Sequence, residues 1–345
     1  MDARRQDRRP LGATARFAVF GTNHWEQNGL WPALRTVGAE VFFDYLAAPA
    51  ARAGDGGKAL GRSFLRVLDD AERSGGPISL VFFYAAGFWL DDAMLAELRA
   101  RGIWTVLLAL DDKQQLFAPP REGVREWQAR AARGVDLYWT TWRSAIDWLA
   151  AEGATPWYAP AGADPRLFRP VPARRDLDVV WVGRGYGPRY DLVRSLRRRG
   201  FAVQAYGPGW EGGPVPFEEM MALYGRAAVV LGMGGVGQTD AFKHLKGRDF
   251  EVPMSGALYL TSFNPELTDH FRVGEEILCY SSVAECADVL RWVLARPDLA
   301  ERIRAAARAR SLRDHTWDAR MRTMLDLLGS ERAGRPGAGL GGTRP

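Results

Sequence analysis

The sequence predicts an α/β protein built from two Rossmann-like domains that face each other across a cleft. Three observations carry this. At 345 residues the chain is longer than one ordinary core accommodates. Continuous apolar runs of strand length alternate with amphipathic stretches of helical period, the pattern of a parallel sheet covered on both faces. The alternation pauses once, at "APAGADPRLFRPVPARRD" (159–176), where four prolines and a loss of periodicity mark a linker, and then restarts.

The elements follow in order. "RFAVF" is a strand closed by Gly21, and "LWPALRTVG" sets Leu30, Leu34 and Val37 at helical spacing with Gly38 as a stop. "EVFFDY" is the next strand, "ALGRSFLRVLDDAERSGG" an amphipathic helix ending in glycines, and "ISLVFFY" a strand. "DDAMLAELRARG" has the acidic start and glycine end of a helix; "IWTVLLAL" is a buried strand, and "VDLYWT" with "RSAIDWLAAEG" repeats the unit. Beyond the linker come "DVVWVG", "RYDLVRSLRRRG", "FAVQAYG", "FEEMMALYGRA" and "AVVLGMG", then a helix and strand within "LKGRDFEVPMSGALYLTSF", the short strand "EEILCY", and helices from Ala284 to about Leu328. The domain limits expected are a disordered basic arm over 1–15, a first domain over 16–160, a linker over 161–176, a second domain over 177–312, a last helix over 313–328, and a disordered glycine- and proline-rich tail over 329–345.

Composition narrows the function. Hydrophobic residues make up 47% and charged residues 25%, a globular balance. The net charge of +5 owes much to Arg4, Arg5, Arg8 and Arg9, which read as a solubilising arm, with no nucleic-acid partner expected. No apolar core follows those arginines and no run reaches the roughly 20 apolar residues that cross a bilayer, so neither a secretory signal nor a transmembrane segment is expected. Cys279 and Cys286 are too few for a disulfide framework or thiolate cage and read as small buried hydrophobes, consistent with the cytoplasm. Thirteen tryptophans are many, either sugar-site walls or packing.

Several motifs are absent or misplaced. "GTNHWEQNG" after the first strand lacks the GxGxxG spacing of a nicotinamide site, and there is no P-loop or nucleophile elbow. "GMGGVGQ" (232–238) is a ligand loop or a plain turn. "DLD" (176–178) resembles a metal-holding carboxylate pair but precedes its strand, the wrong end for a ligand. The histidines His24, His244, His270 and His315 show no metal spacing, so no metal or other cofactor is expected.

The cluster at 246–251 is more informative. Lys246 and Arg248 open a short helix, where backbone N–H groups and the helix dipole already favour anions. Arg grips a diphosphate with two parallel bonds. Glu251 follows one turn later among apolar and small residues, and a carboxylate there needs donors such as ribose hydroxyls. The other reading of the same residues is a structural Lys–Glu or Arg–Glu pair. In the first half, "IWTVLLAL" runs into Asp111-Asp112-Lys113 at the carboxyl end of a central strand. Those acids are a helix cap or solvated loop, or else Asp112, with His24 from the first strand's loop, orients an acceptor hydroxyl.

"AGADPRLFRP" (161–170) resembles the interdomain signature of retaining glycosyltransferases of the GT-B fold, and "VVWVGR" (179–184) resembles the start of their donor domain. "KGRDFEVPMSGALYLTSFNPELTDHF", "GEEILCY" and "DHTWDAR" look like the group 1-like, spore-maturation (CgeB-type) glycosyltransferases, as do "WTVLLALDDKQQLF" and "FGTNHWEQNGLWPAL" in the first half. The resemblance covers nearly all of 16–328 and implies a last helix that returns to the first domain.

It also implies a metal-independent transfer, with retention, from a nucleotide-diphosphate sugar to a glycan, lipid or protein acceptor. Arg184 and Lys246 match the basic pair on the diphosphate, and Glu251 matches the glutamate that holds the ribose; these three are the expected catalytic set. Gly183, Arg248 and Gly256 complete the expected donor site, with His24, Asp111 and Asp112 on the acceptor side. A first glutamate belongs eight positions before Glu251, where this chain has Lys243. Two rival readings remain, a nucleotide-sugar epimerase of the same fold and a non-catalytic nucleotide-sugar-binding protein.

Overall fold

The structure, a computed structural model, describes residues 8–22, 26–52, 54–55, 57–109, 112, 124–235 and 243–329. The chain divides into two compact units, one holding residues up to Pro160 together with those from Arg320 on, the other Ala161–Ala319.

The first unit is a parallel sheet of β1 (Arg16–Gly21), β2 (Ala39–Asp44), β3 (Ile78–Ala85), β4 (Trp104–Ala109), β5 (Leu137–Thr140) and β6 (Pro156–Tyr158), in the order β2-β1-β3-β4-β5-β6. Around it lie α1 (Leu30–Thr36), α2 (Lys58–Gly75), α3 (Asp92–Ala100), α4 (Val124–Gly134) and α5 (Ile146–Ala151). Every residue of β3 and β4 is buried, which is why these strands read as unbroken apolar runs rather than alternating ones. The helix α2 turns Leu60, Phe64 and Leu68 inward at a spacing of one turn. Phe64 packs edge-on against Phe20 of β1, which also meets Phe43 of β2 and Phe83 of β3. The neighbours of β1 are β2 on one side and β3 on the other, so the winding direction reverses between β1 and β3. Sheets of this kind bind ligands at such a point, outside the carboxyl ends of the strands.

Two elements of this unit have no counterpart in the sequence reading. The inner face of α4 is Gln128, Ala129, Ala131 and Ala132, so burial there leaves no large-apolar period to read. The strand β6 is three residues beginning with proline, below the length at which alternation is visible. The expected disordered arm over 1–15 is also corrected where it is described. Arg8, whose side chain is 3% exposed, pairs with Asp136 and donates to the Ile103 carbonyl (2.6 Å). The Arg9 side chain pairs with Glu72, and its backbone carbonyl accepts from the Trp104 indole (2.9 Å). Carboxylates distant in sequence hold these arginines, and no local pattern reveals them.

The second unit is a parallel sheet of β7 (Leu177–Val182), β8 (Val203–Tyr206), β9 (Ala227–Leu231), β10 (Tyr259–Ser262) and β11 (Leu278–Tyr280), in the order β11-β10-β9-β7-β8. Its helices are α6 (Pro188–Arg198), α7 (Phe217–Arg226), α8 (Arg248–Met254), α9 (Val283–Leu294) and α10 (Pro297–Asp314). Successive residues of β7 serve opposite faces: Val179 and Trp181 enter one apolar cluster, Val180 and Val182 the other. Here the winding reverses between β7 and β9. Residues 161–176 carry no helix or strand; Ala163 exchanges backbone bonds with His315 (2.9 Å) and Trp317 (3.2 Å) at the start of α11 (Trp317–Gly329).

Trp317, Met321, Met324 and Leu328 of α11 are each at most 3% exposed. Losing one large core side chain costs about 2–5 kcal/mol, so removing all four, roughly 8–20 kcal/mol, is comparable to a typical domain's whole roughly 5–15 kcal/mol of stability. Truncation from Asp314 onward is therefore expected to give unfolded or insoluble protein, whereas truncation from Gly329 onward leaves the melting curve in place. Equal tolerance of both deletions, read by thermal denaturation, overturns this.

Candidate functional site

The carboxyl edge of the second sheet is organised around a buried guanidinium. Arg248 opens α8 and donates to the Val182 carbonyl at the end of β7, its guanidinium 5.8 Å from the Trp181 ring. Burial works against its charge, but Tyr259, Tyr224, Glu251 and Asp249 outweigh that and hold its pKa above the ordinary value. Gly183 follows directly at φ +142°, and a Cβ there would collide with the Arg248 guanidinium. The Gly183 carbonyl accepts from the indoles of Trp210 (2.8 Å) and Trp181 (3.1 Å), so the turn leaving β7 is fixed from several sides.

A second guanidinium lies beside the first, and the sequence reading missed it. Arg189, in the first turn of α6, is only 5% exposed. It donates to the Arg184 carbonyl (3.0 Å) and lies 4.2 Å from the Tyr186 ring and 5.5 Å from the Trp181 ring that Arg248 also faces. Burial, then the like charge of Arg248, lowers its pKa to about 10. Its Nε is buried without a hydrogen-bond partner, and among the described residues no carboxylate forms an ion pair with it. Buried charge without a counter-ion is costly. An anion bound against the first turn of α6 would remove that cost. Arg184, by contrast, is exposed on the Gly183–Gly187 turn. The signal that could have found Arg189 is its place one step after proline at the start of the helix that follows β7.

The turn before α8 is held by Asp249. Its carboxylate reaches back to the Lys246 N–H (2.7 Å), as in a capping box, and bonds the Tyr259 side chain. Burial raises the Asp249 pKa to about 6. Glu251, half-buried one turn on, lies beside Gly247, where an added Cβ would stand 3.0 Å from its Oε1. Lys243 is half-buried and bridges to Gly235.

The structure brings Gly183, Arg248 and Glu251 to one neighbourhood, with Lys246 on the same turn. Gly256 does not belong there. At φ +77° it ends α8 and precedes the amino end of β10, packed by Pro170 and Arg308, because a helix leaving the carboxyl edge must return to the other one. The "DLD" acids are likewise at the amino end of β7, where Asp176 forms a two-pronged pair with Arg226 (2.8 and 2.9 Å). Of "GMGGVGQ", Gly232 donates to Leu260 (2.8 Å) and Gly234 to the Ser262 hydroxyl (2.9 Å), while 236–238 lie outside the described residues. Burial pushes both thiols, Cys279 and Cys286, up to about 12, which makes them poor nucleophiles.

In the first unit, His24 and Asp111 lie outside the described residues. Asp112 is wholly buried, which corrects both the solvated-loop reading and its expected place on the acceptor side. Its Oδ1 accepts from the Tyr138 hydroxyl (2.5 Å) and the Gln128 amide (3.3 Å), so this carboxylate braces the interior of the sheet edge.

Residues 189–326 match a family model described as "Glycosyl transferase-like". No curated protein matches the sequence. Among solved structures, the chain is similar to sucrose-phosphate synthase of Thermosynechococcus elongatus at a TM-score of 0.65 and 13% identity, over 91% of this chain and 98% of that one. It is similar to HepE of Anabaena in complex with UDP and glucose at 0.61 and 11%, over 90% and 99%. A putative UDP-N-acetylglucosamine 2-epimerase of Listeria monocytogenes follows at 0.56 and 12%, over 92% and 96%. The chain thus has the α/β architecture of the GT-B glycosyltransferases, and from Arg189 to Asp326 its sequence is glycosyl transferase-like.

Proposed function

We propose that the protein is a glycosyltransferase that moves a sugar from a nucleoside diphosphate to an acceptor, of the spore-maturation type its sequence resembles. The observation that carries this is the Arg189–Arg248 pair, two neighbouring guanidiniums at the carboxyl edge of β7, one of them without a carboxylate partner among the described residues. The anion they favour is the donor diphosphate. Negative charge grows on that group as the glycosidic bond breaks, so cations already in place stabilise the transition state more than the ground state. Arg184 and Lys246 add to that field, and Glu251 accepts the ribose hydroxyls. Gly183, without a side chain, leaves the backbone open to the ligand.

Transfer is proposed to proceed with retention, without a divalent ion, and in the cytoplasm; among the described residues no helix is long and apolar enough to cross a membrane. The cations supply the charge a metal would supply, and the "DLD" carboxylates lie at the amino end of β7. The bound UDP of the similar Anabaena protein supports a nucleotide ligand. The Listeria epimerase, of similar architecture, keeps an epimerase as the second reading.

A panel of nucleotide sugars assayed for free nucleotide, transferred sugar and epimer separates transfer, epimerisation and binding alone. Arg189→Gln is expected to weaken nucleoside diphosphate binding by about 1.5–3 kcal/mol, the scale of a charged hydrogen bond, and to leave nucleoside binding unchanged. An equal effect on both ligands in calorimetry removes the anion role. Glu251→Gln should cost about 1–3 kcal/mol of nucleotide affinity in a folded protein; unchanged affinity counts against the ribose contact. Turnover should persist in excess chelator, and complete, metal-restored loss would bring the metal question back to the "DLD" acids.

A further inference from the structure

The outer face of the second unit carries charge and aromatic surface that the donor site does not use. The helices α6 and α9 cover the same side of the second sheet: Leu192, Val193 and Leu196 of α6 join Cys286, Leu290 and Val293 of α9 in one apolar cluster. Each helix follows the carboxyl end of a parallel strand, β7 or β11, so both run back and end at the amino edge. The candidate donor site lies at the opposite edge of this sheet.

A ring and a guanidinium join the ends of the two helices. Phe201, in the turn after α6, is half-buried, and the Arg291 guanidinium of α9 lies 5.6 Å from its ring. The next residue, Trp292, is 39% exposed, one of the few large apolar side chains open to solvent among the described residues. Arg296, one turn later, stays with it. Its guanidinium lies 5.8 Å from the indole ring and donates to the Trp292 carbonyl (2.9 Å). Charge and aromatic surface are thus presented side by side.

The charge at this end is mostly unneutralised. Arg194 and Arg198 stand one turn apart on the exposed face of α6, and the exposed Arg199 follows. Among the described residues, none of these three forms an ion pair, and neither does Arg296; Arg197 and Arg291 pair with the exposed Glu211 and Asp288. The exposed acids of the two helices, Asp191, Glu285 and Asp288, sit in their first halves, toward the other edge; Asp298 follows in α10. A helix dipole favours cations in the last turn, which accounts for Arg197 and Arg198. It accounts neither for Arg194 nor for an indole left in water among arginines.

We propose that the amino-edge ends of α6 and α9 form a docking face for an anionic lipid bilayer, with Arg194, Arg198, Arg199 and Arg296 against the headgroup phosphates and the Trp292 ring in the interfacial layer. Indole favours that layer because one part of it is apolar and its N–H is polar. An arginine at an anionic membrane surface is worth about fivefold in affinity. The arginines stand on the outer sides of two neighbouring helices, which one plane can touch together. A single-stranded nucleic acid is held instead along a basic groove. A neutral bilayer offers the guanidiniums no counter-charge.

The test pellets the full chain with vesicles of phosphatidylglycerol and phosphatidylcholine in equal parts, with pure phosphatidylcholine vesicles and polyuridylic acid as parallel probes. The wild-type chain is expected to pellet with the mixed vesicles, to stay in solution with the neutral ones, and to be released by salt as the charges are screened. Arg198→Gln combined with Arg199→Gln should weaken vesicle binding about tenfold or more. The pair Arg198→Lys and Arg199→Lys should stay within about threefold of wild type, because a membrane surface reads charge and not the guanidinium fork. Trp292→Ala should weaken binding about fivefold by removing the ring from the interface. All these side chains are exposed, so melting curves should match the wild type. No binding to mixed vesicles, equal binding to neutral ones, indifference to the glutamine or Trp292 substitutions, or polyuridylic acid bound in preference to vesicles overturns the inference.

Discussion

A guanidinium held inside the second unit, with its N–H on the Val182 carbonyl, sets the geometry of everything around it. Arg248 occupies the place a side chain at residue 183 would need, so glycine there is a steric requirement. It anchors the start of α8 to the central strand β7, which in turn positions Asp249 under the Lys246 N–H and Glu251 beside Gly247. It also depresses the pKa of Arg189, second only to burial. A positively charged interior of this kind is stable only because tyrosines and carboxylates surround Arg248.

The two sheet edges present different side chains. The second offers guanidiniums, backbone N–H groups and glycines, the equipment for phosphate. The first carries aromatic rings after β3 and in α4 and, separately, the Glu26 carboxylate on Tyr84. Both lie outside the carboxyl ends of parallel strands at a reversal of winding, so one architectural rule places two unlike chemistries.

Within the first unit the buried polar group Asp112–Tyr138–Gln128 holds the turn after β3 from below. None of its members needs to touch a ligand. Burial, with Asp112 next, drives the Tyr138 hydroxyl well above its ordinary pKa, so it remains a donor at any physiological pH and the link to Gln128 and Gly87 does not titrate.

The sequence by itself determined the parallel α/β class, because β3, β4 and β7 beyond Asp178 are buried on both faces and read as nearly continuous apolar runs. It also located the turn at 246–251, since small, charged and apolar residues there follow a helix-start pattern that is local in nature. It did not show α4, whose buried face is alanine and glutamine, nor the anchoring of Arg8 on Asp136. Only the tertiary structure decided that Arg189 lies beside Arg248, that Gly256 lies at the opposite edge, and that Asp112 faces Tyr138 in place of solvent. Helical period and apolar runs are properties of neighbouring residues. Counter-ions, burial of a charge and the edge on which a loop emerges depend on strands brought together from far along the chain, and no window of sequence contains them.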